Sequence, residues 1–133
     1  SEMCIRDSSI RIHKNIKYHG FISERDKINL FHKTHVFILP TRYFEGQPIS
    51  ILEAYSSACV VFTTNKPGIL DIFDDGKNGF IIKDNSSSEI SEMLIKILNN
   101  KEKLLSIALN NYLLAKEKYR ENRYLYSLRN III

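Results

Sequence analysis

The chain has no tryptophan, two cysteines, two methionines, three prolines and five glycines in 133 residues. Each scarcity excludes something. Cys4 and Cys59 lie far apart and match no metal or redox spacing. A disulfide framework or a thiolate metal site is therefore not expected, and the usage suits a reducing compartment. No apolar run approaches the length of a membrane span, and no N-terminal stretch has signal-peptide anatomy. A cytoplasmic location is the expectation. The net charge is only +4, and its basic residues are spread along the chain. A basic stripe with interleaved aromatics, as nucleic-acid binders need, is not evident. The C-terminal part is richest in base, with Lys101, Lys103, Lys116, Lys118, Arg120, Arg123 and Arg129. These read as solvated helix faces; attraction to anionic lipid or phosphate is the second reading.

What is present is ordinary for one globular domain: 44% apolar and 26% charged residues, in a length that can bury a core without staples. The first eight residues, SEMCIRDS, do not fit the rest of the chain. They resemble translated sequencing-adaptor read-through and are set aside as a non-native tail, leaving residues 9–133 as a truncated domain.

From there, strands and helices alternate. Ile16 to Phe21 reads as a short strand ending at Gly20, and Ser23 can cap a helix with acid in its first turn. Val36 to Leu39 is a continuous apolar run stopped by Pro40, as in a parallel strand buried on both faces. Thr41 to Gln47 is a polar loop, and Pro48 suits the first position of a helix running to about Ser57. Val60 to Phe62 reads as a second buried strand, Ile69 to Phe73 as a helical turn and Phe80 to Ile82 as a third strand. Asp74-Asp75-Gly76 and Asn78-Gly79 are strong turn signals. Ser86 to Ser88 can cap a helix carrying Ile90, Met93, Leu94, Ile97 and Leu98; further helices span about Lys101 to Tyr119 and Asn122 to Asn130. This order predicts an α/β fold: a partial Rossmann-like parallel sheet with flanking helices and a helical C-terminus. In such sheets ligands bind at the carboxyl ends of the strands.

The loop after Leu39 delivers Glu45, and Glu53 follows eight residues later inside the helix. The N–H groups of Ile49 and Ser50, in the first turn, lack intrahelical partners and offer a phosphate site with the helix dipole. Glu53 shares their face. A carboxylate there can accept hydrogen bonds from two vicinal hydroxyls, such as those of a ribose. Glu45, on the other side of the phosphate, can meet hydroxyls of a sugar, and Gly46 lets the backbone come close to it. By spacing alone, Glu45 can equally be a solvated loop residue and Glu53 a helix-surface acid.

The stretch EGQPISILEA resembles the EX7E motif of retaining glycosyltransferases of the GT-B fold, family 4 (group 1) in particular. Tyr18 to Phe21, Pro40-Thr41, Thr63 to Asn65 with Gly68-Ile69, and Asp71 to Phe80 resemble the flanking family segments in the same register, over about residues 16–100. The resemblance implies the nucleotide-sugar-binding C-terminal domain of such an enzyme. It places Glu45, as the catalytic residue, on the donor sugar and Glu53 on the ribose. Gly46, Gln47, Pro48, Ile49 and Ser50 would adjoin sugar and diphosphate, and Gly20, Phe21, Ile22 and Ser23 the nucleobase. It implies transfer with retention and without a metal or other cofactor, the nucleotide-sugar donor being a substrate. The acceptor, a glycan or lipid-linked sugar, would be bound by a missing N-terminal domain, with peripheral association of the full-length parent at the inner face of the membrane. Alternatives on this fold are a sugar-nucleotide epimerase, a phosphorylase or a non-catalytic nucleotide-binding module. Three departures stand out: Ala58 where the family usually has Gly, Val60 where it usually has Pro, and Pro67 in place of a Gly. Nothing matches the family's diphosphate-binding Arg and Lys. His13, His19, His32 and His35 lack metal-ligand spacing; His32 and His35 read as a helix end, and Cys59 as inert packing.

Overall fold

The computed structural model describes residues 14–44 and 46–119. Eight elements run in order: α1 (Glu24–Phe31), β1 (Val36–Leu39), α2 (Ile49–Ser56), β2 (Val60–Thr64), α3 (Pro67–Leu70), β3 (Gly79–Ile82), α4 (Ser87–Leu98) and α5 (Lys101–Lys118). The three strands form one parallel sheet in the order β1-β2-β3. Val36 pairs with Val60, and Phe62 with Phe80. The predicted α/β class and parallel sheet are present. The adaptor-like tail and the helix expected over 122–130 lie outside the described residues.

The core has two layers, one on each face of the sheet. Val61 points into a cluster with Ile51, Ala54, Tyr55, Ile69, Ile72 and Phe73. Val60 and Phe62 point the other way, toward Ile82, Ile97 and Ile107. That alternation follows the strand period of two, and all five residues of β2 are buried because helices cover both faces. Helix α5 joins the layers, giving Ile107 to one cluster and Ala115 to the other. Midway, the fully buried Asn111 ties down the amino ends of the strands. Its Nδ2 donates to the carbonyls of Cys59 and Asn78, both at 2.8 Å, and its Oδ1 accepts from Asn78 Nδ2 at 2.8 Å. Cys59 and Asn78 are the residues immediately before β2 and β3. The end of the sheet opposite the strand carboxyl ends is thus closed by one helix.

Two turns set the geometry of β2. Helix α2 ends in a Schellman motif: Cys59 N–H donates to Ala54 O and Ala58 N–H to Tyr55 O, both at 2.9 Å. The motif puts Ala58 at φ 57°, the left-handed region where the family pattern has Gly. Gly79 opens β3 at φ 154°, so close to β2 that a Cβ would sit 1.6 Å from Val61 O.

Four expectations change. Residues 16–20 form no strand; Ile16 and Tyr18 are 55% and 45% exposed. A strand needs a ladder partner, and the sheet among the described residues consists of β1, β2 and β3 alone. Val36 to Leu39 are half-buried throughout, because β1 has β2 on one side only. Pro48 is the N-cap (ψ 110°) and the helix begins at Ile49, one position later than expected. The short turn after β2 also starts earlier, at Pro67, where its missing N–H is harmless.

Candidate donor-binding site

The carboxyl ends of the three strands open onto a cleft of about 560 Å³ lined by Thr41, Arg42, Thr64, Asn65, Lys66 and residues 81–85. Side chains fix its floor. Thr63 Oγ1 donates to Leu39 O (3.1 Å), and Thr64 Oγ1 to Thr41 O (2.7 Å). Asn85 Nδ2 donates to Pro40 O (3.1 Å), tying the loop after β3 to the end of β1. That loop is folded around Glu89, whose carboxylate accepts from the N–H groups of Lys83, Asp84 and Asn85 at 2.7, 2.9 and 3.2 Å. Ser86 caps α4 by accepting from Glu89 N–H. Hydrogen bonds from Ser86 hold the Asp84 carboxyl below its ordinary range. Arg42, Lys66 and Lys83 each come from the loop after a different strand, so three cations share one cleft with Asp84. Reading the sequence motif by motif missed them; the rule that open sheets bind ligands at strand carboxyl ends is the signal that finds them.

The loop running from Thr41 leads into α2. Tyr43 and Phe44 are 81% and 89% exposed. Glu45 lies outside the described residues. Gly46 and Gln47 are exposed, and beyond the adjoining residues of the chain no described atom lies within 4 Å of where a Cβ of Gly46 would be. Ile51 N–H bonds back to Pro48 O at 3.1 Å. The N–H groups of Ile49 and Ser50 precede it in the first turn and have no intrahelical carbonyl to meet.

Glu53 sits on α2, half-buried. Its Oε1 accepts from Lys27 Nζ at 2.7 Å. Lys27 also meets Glu24 Oε2 at 3.0 Å. The Glu53 and Glu24 carboxylates raise the Lys27 pKa above its ordinary value. Lys27 belongs to α1, which comes directly after the loop Gly20 to Ser23. Phe21 in that loop is fully exposed, and Gly20 turns it at φ 58°. The predicted ribose carboxylate and nucleobase loop are therefore linked through one ion pair, a link that sequence spacing did not suggest.

Other expectations are simpler to place. His32 ends α1 as its C-cap. Cys59 is fully buried, and burial pushes its thiol up to about 11. Tyr119 lies against the core, whereas Tyr112 is 43% exposed. Asp74 pairs with Lys77 at 3.5 Å, and Asp75 accepts from Ile81 N–H at 3.0 Å, so both serve the turn. Among the described residues no three His, Cys, Asp or Glu side chains gather as metal ligands, and no helix is long and apolar enough to cross a membrane.

The family profile for glycosyl transferases group 1 matches residues 6–113. The chain belongs to this family. A C-terminal domain of a group 1 glycosyl transferase from Francisella tularensis superposes with a TM-score of 0.66 at 27% identity, over 77% of this chain and 53% of that one. Anabaena HepE, solved in complex with UDP-glucose, superposes with a TM-score of 0.65 at 18% identity, over 76% of this chain and 29% of that one. The architecture is that of a GT-B C-terminal domain. Among curated relatives, a sucrose synthase of Melioribacter roseus is 28% identical over 95 residues, 68% of this chain and 12% of the relative. An N,N'-diacetylbacillosaminyl-diphospho-undecaprenol alpha-1,3-N-acetylgalactosaminyltransferase of Campylobacter jejuni is 25% identical over 92 residues, 69% of this chain and 24% of the relative. The chain thus spans a quarter or less of the length of these curated relatives.

Proposed function

We propose that this chain is the donor-binding part of a glycosyltransferase that moves a sugar from a nucleotide-sugar to a glycan or lipid-linked acceptor with retention of configuration. The observation that carries the reading is the position of Glu53: a carboxylate one turn into a helix that follows the loop from β1, paired with Lys27. It accepts the two ribose hydroxyls. The open first turn of α2, with Gln47, Ile49 and Ser50, receives diphosphate and sugar oxygens. Arg42, Lys66 and Lys83 supply positive charge at the cleft, where the family pattern would place its own Arg and Lys from another segment. Glu45 takes the role of contacting the transferred sugar.

In this reading the bond between the anomeric carbon and the phosphate oxygen breaks while the acceptor oxygen bonds to the same face. The acceptor's proton passes to the leaving phosphate oxygen. Helix N–H groups and the basic side chains stabilise the charge that develops there, so no metal is assigned a role. A double displacement between Glu45 and Glu53 is not invoked, because that would need two carboxyls about 5–5.5 Å apart across the scissile bond, and Glu53 is assigned to the ribose. The acceptor docks on a facing N-terminal domain, toward which Tyr43 and Phe44 are left uncovered. The setting is surface polysaccharide assembly in the cytoplasm, with the parent enzyme peripheral to the inner face of the membrane. The 133-residue chain alone then binds donor without transferring it.

Titration of the wild type and Glu53→Ala with UDP, GDP and their sugars tests the assignment. The expected result is tighter binding of one nucleotide series by the wild type, lost in the variant. Equal affinity of both proteins for every nucleotide refutes it, and sugar transfer by the isolated chain refutes the claim that it is inactive alone.

A further inference from the structure

Helix α1 is an unusual support. It buries no residue, so apolar packing alone does not fasten it. Its far end is held by Phe31, whose ring lies 5.6 Å from that of Phe37, and by the thiol of Cys59, which reaches the Thr34 carbonyl at 3.3 Å. Its first turn is held differently, by Lys27 reaching across 26 positions of sequence to Glu53 on α2. That turn carries the loop Gly20 to Ser23. A base and the ribose attached to it form one rigid ligand, so the parts that receive them must hold a fixed distance.

We propose that Lys27 is a positioning residue for nucleoside recognition: its ammonium fixes the Glu53 carboxylate toward the ribose and locks the nucleobase loop to it. This rests on the donor-binding reading of Glu53 given above. The geometry supports it in three ways. Lys27 donates to Oε1 of Glu53 at 2.7 Å, so the donor-binding reading assigns the other oxygen, Oε2, to face the ribose hydroxyls. A charged donor at 2.7 Å fixes the rotation of the carboxylate, which a solvent-exposed acid would otherwise lose entropy to adopt on binding. Glu24, on the same helix, holds the ammonium from the other side at 3.0 Å and keeps it from swinging away. An ion pair serving only as surface decoration would add little to stability and nothing to discrimination between sugars.

The test compares UDP and GDP with their 2′,3′-dideoxy analogues by calorimetry, on the wild type, Lys27→Met, Lys27→Arg, Glu53→Gln and the Lys27→Met/Glu53→Gln double variant. For the nucleotide that binds, Lys27→Met should lower ribonucleotide affinity by about five- to tenfold, leave the dideoxy analogue unchanged, and lose that effect in the Glu53→Gln background. Lys27→Arg should restore most of the discrimination. Equal losses for ribo and dideoxy ligands, or no loss for either, overturn the proposal while leaving the donor reading intact. A wild type that binds neither UDP nor GDP, or does not distinguish ribo from dideoxy, overturns the donor reading and this inference with it.

Discussion

Replacing Ala58 by glycine should stabilise the protein, against the usual direction for an alanine-to-glycine change. Ala58 is the residue after the C-cap of α2 and holds φ 57°. Two bonds of 2.9 Å, Cys59 N–H to Ala54 O and Ala58 N–H to Tyr55 O, fix it there. Ala54 and Cys59 are both fully buried, so the turn cannot relax without opening the core. A left-handed residue with a Cβ costs about 1–2 kcal/mol. Glycine removes that cost, but a more flexible unfolded chain takes back about 0.4–1 kcal/mol. The difference is a gain of about 1 kcal/mol, or roughly 3 °C in melting temperature for a chain of this size. Urea unfolding of the wild type and Ala58→Gly, read by circular dichroism at equal slope, measures it. A variant less stable than the wild type would refute the reasoning, because it would mean that the left-handed turn stores no strain. Ala58→Val should move the other way, since branching at Cβ worsens the same clash.

Asn111→Asp places a carboxylate oxygen where Nδ2 now donates to two carbonyls; unfolding should become easier by about 3 kcal/mol or more, and a loss under about 1 kcal/mol in a urea titration would contradict the bonding at Cys59 and Asn78. Gly79→Ala forces a Cβ to within 1.6 Å of Val61 O, so it should cost more than the roughly 1–3 kcal/mol of typical overpacking; wild-type stability would show that β3 can move away from β2. The Cys59 thiol should resist alkylation in the native protein at about pH 8 and react at once in denaturant, and fast native labelling would show that α1 leaves it open. Burial raises its pKa to about 11 from an ordinary value of 9.0. The protonated thiol is therefore favoured by folding: its contribution is intact below about pH 9 and is lost, by roughly 2 kcal/mol, as pH rises toward 11. Cys59→Ala should remove that part of the alkaline decline in unfolding free energy, while Tyr55, also raised by burial, keeps its own share at higher pH.

Local chemistry carried most of the fold into view. Val36 to Leu39 is an apolar run stopped by Pro40, and Val60 to Phe62 is a β-branched and aromatic run, so both strands are legible without knowing their neighbours. The same holds for Ser86, whose hydroxyl caps α4 as its position promised. Ile16 to Phe21 has the same local appearance but is not part of the described sheet, and a strand is a property of two segments. Asn111 was silent for a related reason. In sequence it is one polar residue in a helix; its worth comes from lying between the starts of two strands that precede it by 33 and 52 positions. Lys27 likewise reads as one more surface lysine until α1 and α2 are placed side by side. Long-range polar bonds leave no periodicity, whereas apolar faces do.

Ala58 and the cations of the cleft show that backbone shape and charge constrain a sequence in two different ways. At Ala58 the backbone has kept the shape that glycine would make easy, so the change is felt as strain and should be reversible by restoring glycine. Charge near a phosphate carries no such signature, because it can be supplied from any wall of a site. Here Arg42, Lys66 and Lys83 stand at the carboxyl ends of three adjacent strands, and Lys27 stands on the proposed ribose carboxylate. Backbone conformation is fixed by position, so a motif residue that serves it can be replaced only at a cost in stability. Charge acts over several ångströms and from many directions, so a motif residue that serves it can migrate. In the proposed site, the stretch from Glu45 to Glu53 is for that reason the part that a motif can carry, and the cations are the part that only the folded sheet brings together.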